Sequence, residues 1–163
     1  MPLKNRNNHY LTPISGFFIA ASLLLTGCAN GADAPTRMIK QVTDGVEVDQ
    51  GSIKVRNLTL VAQEDGSGVF IGTFINTGAQ NDAIVSITAN EIAAEINPTN
   101  PVLETNAPVT FAGDIANASG RVPGLNVEAG KRVPVTITFA SQEVINADVL
   151  VVLKEGDYAN VGN

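Results

Sequence analysis

Beyond residue 52, apolar residues fall in short runs rich in Val, Ile, Thr and Phe, separated by Gly, Asn, Asp and Pro. This is the punctuation of strands and turns. Residues 53–61 (IKVRNLTLV) are apolar at Ile53 and Val55, then at Leu58 and Leu60. The parity flips at Asn57, which predicts a bulge or a change of partner strand there. EDGSG (64–68) predicts a hairpin turn. Residues 69–75 (VFIGTFI) are apolar on both parities, as in a central strand, and DAIVSITA (82–89) forms another strand after the loop NTGAQND. Residues 91–96 alternate, with Ile92, Ala94 and Ile96 on one face. The run ends at Asn97-Pro98 and is too short to sustain a helix. Val109 and Phe111 mark a short strand, and residues 113–123 read as a loop. The cleanest alternation is RVPVTITF (132–139), with Val133, Val135, Ile137 and Phe139 facing inward. Pro134 has no N–H to donate, so this strand is expected at a sheet edge or with that position outward. Residues 147–153 (ADVLVVL) close the series.

Seven or eight short strands over about 105 residues predict an all-β fold, an Ig-like β-sandwich. A domain of that size buries roughly two-thirds of its unfolded surface and stands without disulfides. Residues 28–51 have weak periodicity and small, polar side chains, as in a flexible tether, with a short strand conceivable near 38–42. The boundaries read from the sequence are 1–27, 28–51, 52–156 for the sandwich, and 157–163 for a C-terminal tail.

The N-terminus has a different pattern. Residues 1–10 are polar and carry Lys4 and Arg6, residues 14–25 (ISGFFIAASLLL) are apolar, and small residues follow. This is the layout of a secretory signal. Its twelve-residue apolar core falls short of the ~20 residues that a permanent span requires. Leu25, Thr26, Gly27 and Cys28, the chain's sole cysteine, resemble the bacterial lipobox. That resemblance implies cleavage before Cys28, diacylglyceryl attachment to its sulfur, and acylation of the new amine. Two or more acyl chains give stable anchoring. The expected location is therefore the extracytoplasmic side of the cell membrane, through lipid on Cys28.

Charge and residue types narrow the chemistry. From Cys28 onward the chain carries 8 basic and 16 acidic residues. That disfavours nucleic acid, which calls for a basic stripe, and docking on anionic lipid headgroups. His9, the sole histidine, precedes Cys28, so no Ser–His–Asp or Cys–His system is available in the mature chain. Met38, in the tether, is the sole methionine there. The acids Asp44, Glu47, Asp49, Glu64 and Asp65 fall in the tether or a turn, where solvated carboxylates are expected. DGVEVDQG (44–51) offers too few oxygens for a calcium loop. NLT (57–59) and NAS (117–119) match the glycosylation sequon, which a bacterial lipoprotein rarely uses. No nucleotide-binding motif occurs. No catalytic, cofactor or metal residue is assigned, and an enzyme is not expected.

Three segments together resemble the periplasmic copper chaperones of the PCu(A)C family and their actinobacterial lipoprotein relatives. They are IKVRNLTL (53–60), GTFINTGAQNDAIVSITA (72–89) with Asn76, Gly78 and Asp82, and GLNVEAGKRVPVTITFASQEVINADVLV (124–151). The resemblance implies a cupredoxin-like sandwich. It also implies Cu(I) held by histidine and methionine, soft donors suited to that ion. One ligand pair would follow residues 82–89, where this chain has NEIAAEINP (90–98). The other would precede GLNVEAG, where it has DIANASGRVP (114–123). Neither stretch contains His or Met. The expectation is thus an envelope lipoprotein that binds a protein partner through a copper-chaperone-like sandwich. Copper delivery through atypical ligands is the alternative.

Overall fold

The computed structural model describes residues 44–162, and the signal, lipobox and most of the tether lie outside them. Eleven strands follow in order: β1 Val46–Gln50, β2 Ile53–Ala62, β3 Gly68–Asn76, β4 Asp82–Ala89, β5 Ile92–Ala93, β6 Glu95–Asn97, β7 Val102–Leu103, β8 Pro108–Phe111, β9 Ser119–Val122, β10 Arg132–Phe139 and β11 Val144–Val152. A single 3-10 turn, Gly156–Tyr158, follows them. The all-β reading is correct. The strand count exceeds the expected seven or eight because residues 91–96 split into two pieces, β5 and β6, and because β1, β7 and β9 are short strands in stretches read as tether or loop.

The hydrogen-bonded path runs β5-β4-β10-β11-β2-β3-β9-β6. Its two ends, β5 and β6, are separated in sequence by Ala94 alone. The path thus nearly closes on itself, giving a flattened, barrel-like sandwich with few open edges. This explains the alternation at 91–96: the segment leaves β4 at β5 and joins β9 at β6. Ile92, Ala94 and Ile96 pack against a core that includes Leu58, Leu60, Phe70, Phe74, Phe111, Ile137 and Phe139. Phe74 and Phe111 meet edge-to-face, with ring centroids 5.4 Å apart.

The parity flip at Asn57 is both a bulge and a change of partner. Asn57 has φ 53°, and the β2–β3 register slips between Arg56↔Thr73 and Thr59↔Ile71. The extra residue lets Ile53 and Val55 before it, and Leu58 and Leu60 after it, all enter the core. β1 pairs with β2 from Ile53 to Leu58, just past the bulge, and beyond that Leu60 and Val61 pair in parallel with Val151 and Val152 of β11. Opposite the bulge, a Cβ on Gly72 would lie 3.3 Å from the Leu58 Cα, so only glycine leaves this crossing unstrained.

Two expectations need correction, and a third is met in one of its two forms. The ordered domain begins before residue 52, because β1 pairs with β2 through Val48↔Val55 and Gln50↔Ile53. Its VEVDQ sequence is short and charged, as suits a strand with one free edge. Residues 113–123 are not all loop, since β9 lies within them and pairs with β3 and β6. The strand carrying Pro134 is interior, since β10 pairs with both β4 and β11, and the other expected arrangement is the one found, with Pro134 facing outward. The proline is tolerated because its ring is exposed and its nitrogen falls where the β4 ladder ends. There Asn90, one residue past β4 and at φ 49°, donates its N–H to the Pro134 carbonyl at 2.9 Å.

Candidate functional site

At one end of the sandwich, the turn at 51–52 and the loops at 76–82, 98–107 and 140–143 converge. Asn76, 1 % exposed, organises them. Its Nδ2 donates to the carbonyls of Gln80 (2.7 Å) and Leu103 (3.1 Å), and its Oδ1 accepts the Gly78 N–H (2.8 Å). Thr77 donates N–H and Oγ1 to the Ser52 carbonyl at 2.8 and 2.9 Å. Asp82, opening β4, accepts the Ser141 N–H (3.0 Å) and hydroxyl (2.7 Å) and the Ala83 N–H (2.8 Å). Burial works against its ionised form. The hydrogen bonds from Ser141, Ala83 and Ala140 outweigh that and hold its carboxyl below the usual aspartate value.

A cleft of about 480 Å³ lies here, lined by Ser52, Gln80, Asp82, Ser141 and Glu143 among others. Glu143 Oε2 is buried without a hydrogen-bond partner. The cleft has two carboxylates and two hydroxyls, but Asp82 is spent on backbone and hydroxyl donors. No histidine or cysteine occurs among the described residues to activate Ser141. Nor do the described residues contain any cluster of three or more His, Cys, Asp or Glu placed for a metal. Asn76, Gly78 and Asp82, which carried part of the sequence resemblance, therefore hold loops in place. Ser141 and Glu143 were not singled out from the sequence; ASQE after a strand carries no signal beyond a turn.

The opposite end brings together the two stretches where the resemblance implied copper ligands. Residues 90–98 and 114–123 meet through β6 and β9, with Glu95↔Arg121, Ile96↔Gly120 and Asn97↔Ser119 in register. Arg121 also forms an ion pair with Asp65 in the β2–β3 turn. The Asp65 carboxyl is held below its usual value by hydrogen bonds from Ser67 and then by Arg121. The donors at this junction are carboxylate and amide oxygens, a hydroxyl and a guanidinium. They do not fit Cu(I), which takes thioether and imidazole, and a fixed cation sits among them.

The remaining acids behave as surface groups. Asp49 lies 2.5 Å from the Arg56 guanidinium and 3.6 Å from Lys54 Nζ, and the Arg56 hydrogen bond holds its carboxyl low. Asp44 and Glu64 are exposed. Of the sequons, Asn57 occupies the bulge, and Asn117 is engaged through both side-chain atoms with Thr110 and Pro108. Phe70, Phe74, Phe111 and Phe139 are core, as their strand positions implied. Tyr158 is half-buried in the terminal turn. Leu25, Thr26, Gly27, Cys28, His9 and Met38 all lie outside the described residues.

The sequence matches no protein-family model and no curated protein. Solved structures do match the fold. The apo PCuAC domain from PmoF1 superposes with a TM-score of 0.58 at 21% identity, covering 66% of this chain and 99% of that one. The copper-bound PCuAC domain from PmoF2 gives 0.58 at 15% identity, over 66% of this chain and 98% of that one. The apo PmoF2 PCuAC domain gives 0.57 at 14%, over 68% and 98%. The domain is thus a sandwich with the fold of these PCuAC domains.

Proposed function

We propose that this chain is a lipid-anchored envelope protein whose PCuAC-like sandwich works as a non-catalytic binding module for another protein. The observation that carries the reading is the meeting of β6 and β9. The fold brings together the two stretches where the resemblance implied copper ligands, and the side chains there are Glu95, Asn97, Ser119 and Arg121. A scaffold of this kind, with loops pinned at one end by Asn76 and Asp82, presents pre-organised surfaces, and pre-organisation lowers the entropic cost of binding. The anchor rests on the lipobox at Leu25, Thr26, Gly27 and Cys28, and the acidic mature chain favours a protein partner over anionic lipid or nucleic acid.

The second reading is copper delivery. A solved structure of the same fold is copper-bound, which favours it. It would have to use oxygen donors or residues upstream of Asp44. Crosslinking in intact cells, followed by isolation of the chain, tests the leading reading. It predicts a discrete crosslinked protein species; a chain recovered only as itself contradicts it.

A further inference from the structure

A second cavity, of about 460 Å³, lies between the 112–119 loop and the C-terminal tail. Its floor is apolar: Val69 and Ala118 are each 7 % exposed and Phe70 is 1 % exposed. Its charged lining residues are Asp114 and Asp157, and no Lys, Arg or His lines it. Beside Asp114, Ile115 is 79 % exposed, the most exposed large apolar side chain among the described residues.

Both walls are built. Asn117 accepts the Thr110 N–H at 2.8 Å and donates to the Pro108 carbonyl at 3.0 Å, and the Ala118 N–H reaches the Thr110 carbonyl at 3.1 Å. On the tail side, Tyr158 and Val161 donate backbone N–H groups to Glu155 and Tyr158 at 3.0 and 3.1 Å. The tail then presses on the sheet: a Cβ on Gly162 would lie 3.0 Å from Val69 Cγ2.

We infer that this cavity receives a lysine or arginine side chain of a protein partner. The aliphatic stem lies on Val69, Phe70 and Ala118, and the cationic head reaches Asp114 and Asp157. Such side chains bury their methylenes while keeping the charge at a wet rim, which is the division of surface found here. Ile115 adds an apolar contact for a neighbouring residue of the same partner segment, which a free amine would leave uncovered. The 16 acidic against 8 basic residues from Cys28 onward, a formal charge of −8, draw a basic partner to the chain and repel an anionic one. The inference rests on the binding-module reading and assigns it a surface.

The test is a nuclear magnetic resonance titration of the isotope-labelled full chain in detergent. The probes are the N-acetyl methylamides of lysine, norleucine and glutamate. The lysine probe is expected to shift amides at 69–70, 112–119 and 157–162, norleucine to bind about tenfold more weakly, and glutamate not at all. Shifts scattered over the surface, or equal binding of norleucine, would overturn the inference. The double variant Asp114→Asn with Asp157→Asn should keep its spectrum and bind lysine about tenfold more weakly; unchanged affinity overturns the inference. A photocrosslinker placed in cells at Ser119, and separately at Gln80, separates the two levels of claim. Crosslinks from Gln80 without Ser119 sink the cavity assignment and spare the module reading. Crosslinks from neither sink both. Crosslinks from Ser119 that disappear in the double variant support both.

Discussion

Ser141 donates its hydroxyl to Asp82 Oδ2 at 2.7 Å and its N–H to Oδ1 at 3.0 Å, tying the turn after β10 to the first residue of β4. Because these bonds hold the Asp82 carboxyl below its ordinary value of 3.8, they favour the folded state whenever the group is ionised. A carboxyl lowered by folding contributes stability that is fully present above its unfolded value. That contribution is lost as pH falls through the folded value. Asp82→Asn is therefore expected to cost about 1–2 kcal/mol at neutral pH. The cost should shrink as the pH drops below 3.8. Urea unfolding at pH 7 and pH 3 checks this, and an equal cost at both would contradict it. Asp49 and Asp65 are also held low, so acid sensitivity persists in the variant.

Asn76 is a sharper case because it is buried and uses both ends of its amide. Replacing it with aspartate keeps the acceptor for Gly78 but turns an oxygen toward the carbonyls of Gln80 and Leu103. A buried charge facing acceptors without a donor costs on the order of 3 kcal/mol or more. Asn76→Asp should thus be more destabilising than Asn76→Ala, despite being nearly isosteric. Thermal unfolding of the two variants gives the ranking, and the reverse order would contradict the proposed hydrogen bonding.

The bulge at Asn57 gives a backbone test. At φ 53° a β-branched residue is strained, so Asn57→Val is expected to cost about 1–3 kcal/mol. Asn57→Gly removes that strain, and its fold should be retained. Unfolding midpoints of the two variants decide the matter; equal stability would mean that the backbone there relaxes freely.

The sequence disclosed the features that local chemistry dictates. Residues 82–89 read as a strand, and β4 has those bounds, although the register with β10 shifts between Ile84 and Ile87 so that both are buried. The parity flip at Asn57 marked the bulge, because one inserted residue inverts every later side chain. What stayed hidden depends on distant partners. β9, with the sequence SGRV, is a strand because β3 and β6 flank it, and its glycine leaves room for the rings of Phe111 and Phe70. The near-closure through Ala94 and the accommodation of Pro134 at the end of a ladder are likewise properties of the assembled sheet. In the candidate site, Asn76 and Asp82 were visible as a pattern, while Ser141 and Glu143 acquire meaning only once β10 and β11 bring their turn beside β4.

The anchor has its own test. Cys28→Ala is expected to move the chain from the membrane fraction to the soluble one, or to leave it unprocessed with lower gel mobility, because the acyl chains supply the attachment. Unchanged fractionation and mobility would remove lipidation at Cys28.

The division of labour between fold and chemistry is tested most directly by titrating purified residues 29–163 with Cu(I) and with Cu(II). This segment contains no histidine or cysteine, and its one methionine is Met38. The binding-module reading predicts no stoichiometric copper binding below micromolar concentrations. Tight binding of one copper ion per chain would contradict it and restore copper delivery as the function.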